Sequence, residues 1–238
     1  MNIAVIFAGG SGRRMRSNGI PKQFLQVNGV PIIIHTLRVF QESMDIDAIV
    51  LACVPEYMEH MKKLAVRYEI DKLRKIVPGG ETGQESIYFG LKAAQEIAEP
   101  GSIVLIHDGV RPLIDGDLIS RNIASVREFG SGISVVPGSE TITVVDEDGE
   151  IGATVQRSSC WIARAPQSFL LDQILPCHEK ARAEGLQFVD SCTLMLHFGY
   201  RLHRVETSYQ NIKITTPEDY YIFKALLSAK ENAQILGL

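Results

Sequence analysis

Apolar and polar positions along this chain settle into a repeating alternation of short strand-like runs and longer helix-like segments. Asn2–Phe7 is a short apolar, β-rich run. Pro31 suits the first position of a helix that continues to about Glu42. Ala48–Cys53 is an apolar strand, Pro55 begins a second helix toward Tyr68, and Lys75–Val77 is a brief strand before a Gly-Gly turn. Thr82–Glu96 predicts a helix with Ile87, Leu91 and Ala94 on one face. Ser102–Ile106 reads as a buried strand, Asp115–Glu128 as a helix and Gly132–Val136 as another strand. This βαβα order predicts an α/β fold in three layers, a mostly parallel twisted sheet covered by helices on both faces. On such sheets ligands bind outside the carboxyl ends of the strands, so the loops that follow the strands should converge on one edge.

The alternation breaks after Pro137. Glu140–Val145 and Glu150–Gln156 read as strands joined by Asp146-Glu147-Asp148-Gly149, a hairpin with Asp-Gly turn chemistry. Such an insertion serves either as an arm against a partner subunit or as an antiparallel extension of the same sheet. The chain then predicts helices over Leu170–Glu184 and about Ser191–Phe198, a strand over Leu202–Val205, an extended Asn211–Ile214 and a last helix from Pro217. No linker rich in Pro, Gly or Ser divides the chain. Residues 1–238 are therefore expected to form one domain, with residues 139–157 as a β-arm used for dimerisation.

Composition narrows the function. With 238 residues, 45% hydrophobic and 22% charged, the chain can bury a sizeable core and does not resemble a disordered one. The longest apolar runs fall far short of the ~20 residues that span a membrane, and no signal-peptide pattern opens the chain. A net charge of -4 argues against a nucleic-acid binder, while leaving room for a local cluster of cations around one phosphate. Cys53, Cys160, Cys177 and Cys192 form no C-x-x-C pair and no zinc spacing, and read as reduced thiols of a cytoplasmic protein.

Four motifs carry candidate chemistry. The first is Ala8-Gly9-Gly10-Ser11-Gly12-Arg13-Arg14-Met15 after the first strand, followed by Pro21-Lys22-Gln23. Its glycines let backbone N–H groups approach an anion, and Arg14 and Lys22 add positive charge. The spacing matches neither the dinucleotide fingerprint nor a P-loop; the bland alternative is a tight turn with solvated arginines. The second is Gly79-Gly80-Glu81-Thr82-Gly83-Gln84-Glu85-Ser86. Here Thr82 suits a helix N-cap with Glu85 completing a capping box, and the bare amides of the helix start suit a nucleotide. The third is His107-Asp108-Gly109-Val110-Arg111-Pro112, where Asp108 at a strand end suits a divalent cation or a ribose hydroxyl, and Arg111 either pairs with it or binds a phosphate. The fourth is Asn211-Ile212-Lys213-Ile214-Thr215-Thr216-Pro217, with Lys213 in an otherwise apolar stretch and Thr216 capping the last helix. Together they supply anion cradles, several cations and one carboxylate at strand ends, which is equipment for nucleotidyl transfer. An attacking phosphate monoester, with a second pKa near ~6, needs no general base, and none is obviously placed.

As a set and in this order, the motifs resemble the CTP-dependent cytidylyltransferases that act on polyol phosphates, a family of Rossmann-like nucleotidyltransferase fold. The resemblance runs from Ile3 to about Ala225. It implies that Phe7, Ala8, Gly9, Gly10, Gly80, Glu81, Thr82, Gly83, Gln84, Ser86 and Gly109 bind CTP. It implies catalytic roles for Arg14, Lys22 and Lys213. It places the acceptor against Asp108, Arg111, Arg157, Asp190 and Lys213, with Mg²⁺ on the CTP phosphates and Asp108 as a metal ligand. It also implies a homodimer in which Arg157 serves the partner's site. The Ala165-Pro166-Gln167 turn is similar to the family's Thr-Pro-Gln. Gly83 stands where the family usually has Arg, Val189 where Thr is usual, and Glu140 where Asp is usual. Ala8-Gly9-Gly10, Gly109-Val110 and Val189-Asp190-Ser191-Cys192 lie closer to the family's ribitol-5-phosphate branch than to its methylerythritol-4-phosphate branch. The resemblance thus implies transfer of CMP to ribitol 5-phosphate for teichoic acid or capsule synthesis. The alternatives are the methylerythritol enzyme of isoprenoid synthesis, an enzyme using UTP or GTP, and a nucleotide-binding protein with a degenerate site.

Overall fold

The computed structural model describes residues 1–10 and 20–236. In chain order the strands are β1 (Asn2–Ala8), β2 (Gln26–Val27), β3 (Val30–Pro31), β4 (Ala48–Cys53), β5 (Leu73–Pro78), β6 (Ile103–Asp108), β7 (Ser131–Pro137), β8 (Thr143–Val145), β9 (Ile151–Thr154), β10 (Trp161–Leu170) and β11 (Arg204–Glu206). The helices are α1 (Ile32–Glu42), α2 (Met58–Arg67), α3 (Gly83–Gln95), α4 (Gly116–Phe129), α5 (Leu171–Ala183), α6 (Ser191–His197) and α7 (Pro217–Leu236).

Seven strands form one sheet in the order β11-β7-β10-β6-β1-β4-β5. Only β10 runs antiparallel to its neighbours, so the expected mostly parallel sheet is present. The period of two in β1 sends its side chains to opposite faces. Ala4, Ile6 and Ala8 join a core under α1, α2 and α4, built around Ile34, Leu37, Phe40 and Ile119. Ile3 and Val5 face the other core, with Leu91, Ile174 and Met195 from α3, α5 and α6. A third cluster packs Phe223 of α7 against Val110 and Ile214, which belong to the third and fourth motifs. From β1 the chain moves outward through β4 to β5, then crosses to β6 on the other side of β1. That reversal opens a crevice at the carboxyl ends of β1 and β6.

Local signals explain most boundaries. Thr82 and Asp115 cap α3 and α4 by accepting from the amides of Glu85 and Leu118, and Gly130 ends α4 at φ +81°. The inserted hairpin forms β8 and β9, with Gly149 at φ +86° and Asp146 Oδ1 accepting from the amides of Asp148 and Glu150. Every residue from 139 to 159 is exposed.

Asn211–Ile214 carries no regular secondary structure, and the sequence expectation fails in one place. Ala165-Pro166-Gln167 is not a turn: it lies inside the ten-residue strand β10. Pro166, which has no N–H to give a ladder, sits where the register against β7 shifts between Ala163 and Gln167. A buried polar brace holds this region: Asn122 donates to Ser134 Oγ, Ser168 donates to Asn122 Oδ1, and Ser134 donates to the Pro166 carbonyl.

His178 of α5 is buried against this core, and burial lowers its pKa to about 4. Between pH 6.5 and 4 the unfolded chain therefore binds a proton that the folded chain refuses, so stability falls as the pH drops through that window. At pH 5 this costs about 2 kcal/mol. Thermal unfolding at pH 7 and pH 5 should show His178→Met losing less stability on acidification than the parent. An equal loss in both would contradict it.

Candidate active site

Two adjoining cavities open at the carboxyl ends of β1 and β6. One, of about 280 Å³, is lined by the Ala8–Gly10 loop, Lys22, Gln23 and the Gly80–Gly83 turn. The other, of about 230 Å³, is lined by Arg111, Ala163–Ala165, Gln167 and Val189–Ser191. They share Phe7, Gly83, Asp108 and Lys213. Any group passing between two ligands, one in each cavity, would cross this shared boundary.

At that boundary Asp108 is buried between two cations. Arg111 Nε donates to Oδ2 at 3.0 Å, and Lys213 Nζ lies 2.6 Å from Oδ1. Burial by itself would raise the pKa of Asp108, but the Lys213 ammonium and the Arg111 guanidinium outweigh it and hold the carboxyl down to about 2. Arg111 also donates to the Asn211 carbonyl at 2.8 Å, and the Ile214 amide donates to Val110 O at 2.9 Å, so the end of β6 carries the Lys213 segment. Lys213 keeps 40% of its side chain exposed and sits over the Phe7 ring at 5.8 Å. Asp108 does not suit its expected place as a metal ligand, because both of its oxygens already face cations. Among the described residues no group of three or more His, Cys, Asp or Glu side chains is placed to hold an ion. His107 points to the opposite face, with Nε2 3.0 Å from the Arg111 carbonyl, and burial lowers its pKa to about 4.

Close backbone approach builds the first cavity. A Cβ on Gly9 would lie 2.6 Å from Ser86 Oγ, and one on Gly79 would lie 2.8 Å from the Gly9 Cα. The Ser86 hydroxyl is fixed there, donating to Thr82 O and accepting from the Gly80 amide. Gln23 Nε2 donates to the carbonyls of Ala8 and Gly10, fastening the first glycine loop from beneath. Glu85 supports the second loop: its carboxylate accepts from the Glu81 amide and pairs with Arg182. This replaces the reciprocal half of the expected capping box, which would have used the Thr82 amide.

Of the expected nucleotide residues, Phe7, Ala8, Gly9, Gly10, Gly80, Glu81, Thr82, Gly83 and Ser86 all border this cavity, as does Lys22. Gln84 does not. Its amide is spent on Leu186 O and the Phe188 amide, which ties α3 to the segment before α6. Gly109 does not line it either, and a Cβ there would meet Ile33 and Ala8. Arg14 lies outside the described residues.

On the second side, Asp190 caps α6 and accepts from Gln167 Nε2 at 2.9 Å, while Gln167 Oε1 accepts from the Cys192 amide. Val189 is 97% exposed at the rim. Arg157 lies apart from both cavities on its own chain, exposed at the base of the arm and 3.5 Å from Ser139 O. The sequence reading missed Arg164, which lines the second cavity, Gln167 and Asn211, which hold its walls, and Gln23, which holds the glycine loop of the first cavity. Their signal was local: Gln23 follows Lys22, and Gln167 follows Pro166.

Residues 2–229 match the family described as IspD, 2-C-methyl-D-erythritol 4-phosphate cytidylyltransferase. A ribitol-5-phosphate cytidylyltransferase of Streptococcus agalactiae is 49% identical over 239 residues, all of both chains. A 2-C-methyl-D-erythritol 4-phosphate cytidylyltransferase of Shouchella clausii is 35% identical, with 96% of this chain and 97% of the other covered. The solved 4-diphosphocytidyl-2C-methyl-D-erythritol synthase of Anaerococcus prevotii superposes with a TM-score of 0.83 at 28% identity, covering 96% of each chain.

The glycine packing gives a contrast that thermal unfolding can read. Gly9→Ala should destabilise the fold by about 1–3 kcal/mol, because the added methyl meets a fixed hydroxyl. Gly83→Ala, whose Cβ would meet nothing within 4 Å, should leave stability unchanged or slightly raised. Equal losses in both variants would contradict the close approach of the two loops.

Proposed function

The chain belongs to the IspD family of cytidylyltransferases, and from that premise we propose that it transfers CMP from CTP to ribitol 5-phosphate, giving CDP-ribitol and pyrophosphate. The observation that carries the choice of acceptor is the full-length 49% identity to a ribitol-5-phosphate cytidylyltransferase, set against 35–38% to methylerythritol enzymes. CDP-ribitol would then be an activated donor for teichoic acid or capsule synthesis.

In this reading CTP occupies the cavity between the two glycine loops and the acceptor occupies the other. The acceptor phosphate, largely ionised above its second pKa near ~6, attacks the α-phosphate of CTP without a general base. That agrees with His107, which is buried, neutral and committed to a backbone carbonyl. The bond from the α-phosphate to the β,γ-diphosphate breaks and pyrophosphate leaves. Lys22 on the nucleotide side and Lys213 at the boundary meet the developing charge, together with Arg14. Mg²⁺ enters as part of the Mg·CTP substrate, since Asp108 is already engaged by two cations.

The arm supports a homodimer. Ile142, Val144, Val145, Ile151 and Val155 are all exposed on it, and a two-stranded hairpin is marginal alone in water. In the dimer Arg157 would reach the partner's acceptor cavity. Among the described residues no helix is long and apolar enough to cross a membrane, and all four cysteines are free, which suits the cytoplasm.

Pyrophosphate release should require CTP and an acceptor together. With ribitol 5-phosphate and 2-C-methyl-D-erythritol 4-phosphate at equal concentration, CDP-ribitol should be the main product. A dominant CDP-methylerythritol product would overturn the acceptor. Sedimentation should give a dimer, and mixing Arg157→Ala with Lys22→Ala subunits should recover part of the activity; a monomer would end the shared site.

A further inference from the structure

We propose that Arg164 binds the phosphate end of the acceptor from within the same chain. This rests on the function proposed above and adds to it a residue that the motifs did not mark. Beyond the register pair Gln167–Ile106, β10 runs past the carboxyl end of β6. There its pairing with β7 jumps between Ala163 and Gln167, a bulge that turns Arg164 toward the second cavity.

Arg164 is a cation without an internal counter-charge. Its Nε is buried and has no hydrogen-bond partner, and among the described residues the side chain makes no ion pair. The two carboxylates that line this cavity are already engaged: Asp108 by Arg111 and Lys213, Asp190 by Gln167 and the amide of Thr193. Burial and the neighbouring Arg111 both lower the pKa of Arg164, a sign that positive charge is in excess there. A guanidinium that has no carboxylate partner and sits in an excess of positive charge is stabilised when an anion arrives. A phosphate monoester is the anion this reaction brings, and a planar guanidinium matches its oxygens in a two-pronged geometry that an ammonium lacks. Ala165 beside it offers no hydroxyl, so Arg164 is the side chain of this bulge that can donate to the phosphate.

The test is R164Q and R164K in steady-state kinetics with CTP and ribitol 5-phosphate, with unphosphorylated ribitol as a competitive inhibitor. R164Q should raise the acceptor KM by about 10- to 100-fold, with the KM for CTP within about twofold and inhibition by ribitol unchanged. R164K, which keeps the charge and loses the fork, should fall between. An unchanged acceptor KM in R164Q would overturn the proposal, as would a loss of ribitol inhibition equal to the loss of ribitol 5-phosphate affinity, since the side chain would then read hydroxyls. A wild-type enzyme inactive toward ribitol 5-phosphate would instead overturn the choice of acceptor. The unchanged KM for CTP shows that R164Q is folded.

Discussion

The site depends on one buried carboxylate. Asp108 ends β6 beside β1, where the chain reverses its direction across the sheet, and it holds Arg111 on one oxygen and Lys213 on the other. Removing Asp108 would leave two cations facing each other at low dielectric, which typically costs about 3–5 kcal/mol, whereas removing Lys213 leaves the Asp108–Arg111 pair intact. Arg111 extends the arrangement to Asn211, whose side chain donates to Ala165 O in β10. A single electrostatic cluster thereby fixes the end of β6, the Lys213 segment and the bulge that carries Arg164.

The same cluster decides how the two cavities communicate. Phe7, Gly83, Asp108 and Lys213 border both, so a cation held by Asp108 stands where a phosphoryl group would cross. Around it the walls are braced by neutral hydrogen bonds. Gln23 fixes the first glycine loop, Ser86 fixes the second against it, and Gln84 links α3 to the segment leading to Asp190. Such preorganisation lets charge meet a transition state with little rearrangement.

Much of this was legible in the sequence. Short apolar runs placed β1, β4, β6 and β7, and helical signals placed the seven α-helices of the described residues, because each buries a face in one of the apolar clusters. The glycine loops, Asp108, Arg111 and Lys213 were legible because their residue types are unusual at strand ends. β10 was not, since Arg164 and Pro166 interrupt its pattern and its justification is a bulge seen only in three dimensions. Gln84 and Gly109 stand next to nucleotide-loop residues in sequence, yet the Gln84 side chain is drawn to Leu186 and Phe188, and Gly109 is packed against Ile33 and Ala8.

If Lys213 is the charge at the crossing point, its effect should fall on turnover. The most direct measurement is the kcat of Lys213→Gln at saturating CTP and ribitol 5-phosphate. Its half-exposed side chain can be replaced without opening the core. The account predicts a fall in kcat of about 10²–10³, the usual cost of losing one preorganised charge contact. A kcat within about threefold of the parent would contradict it.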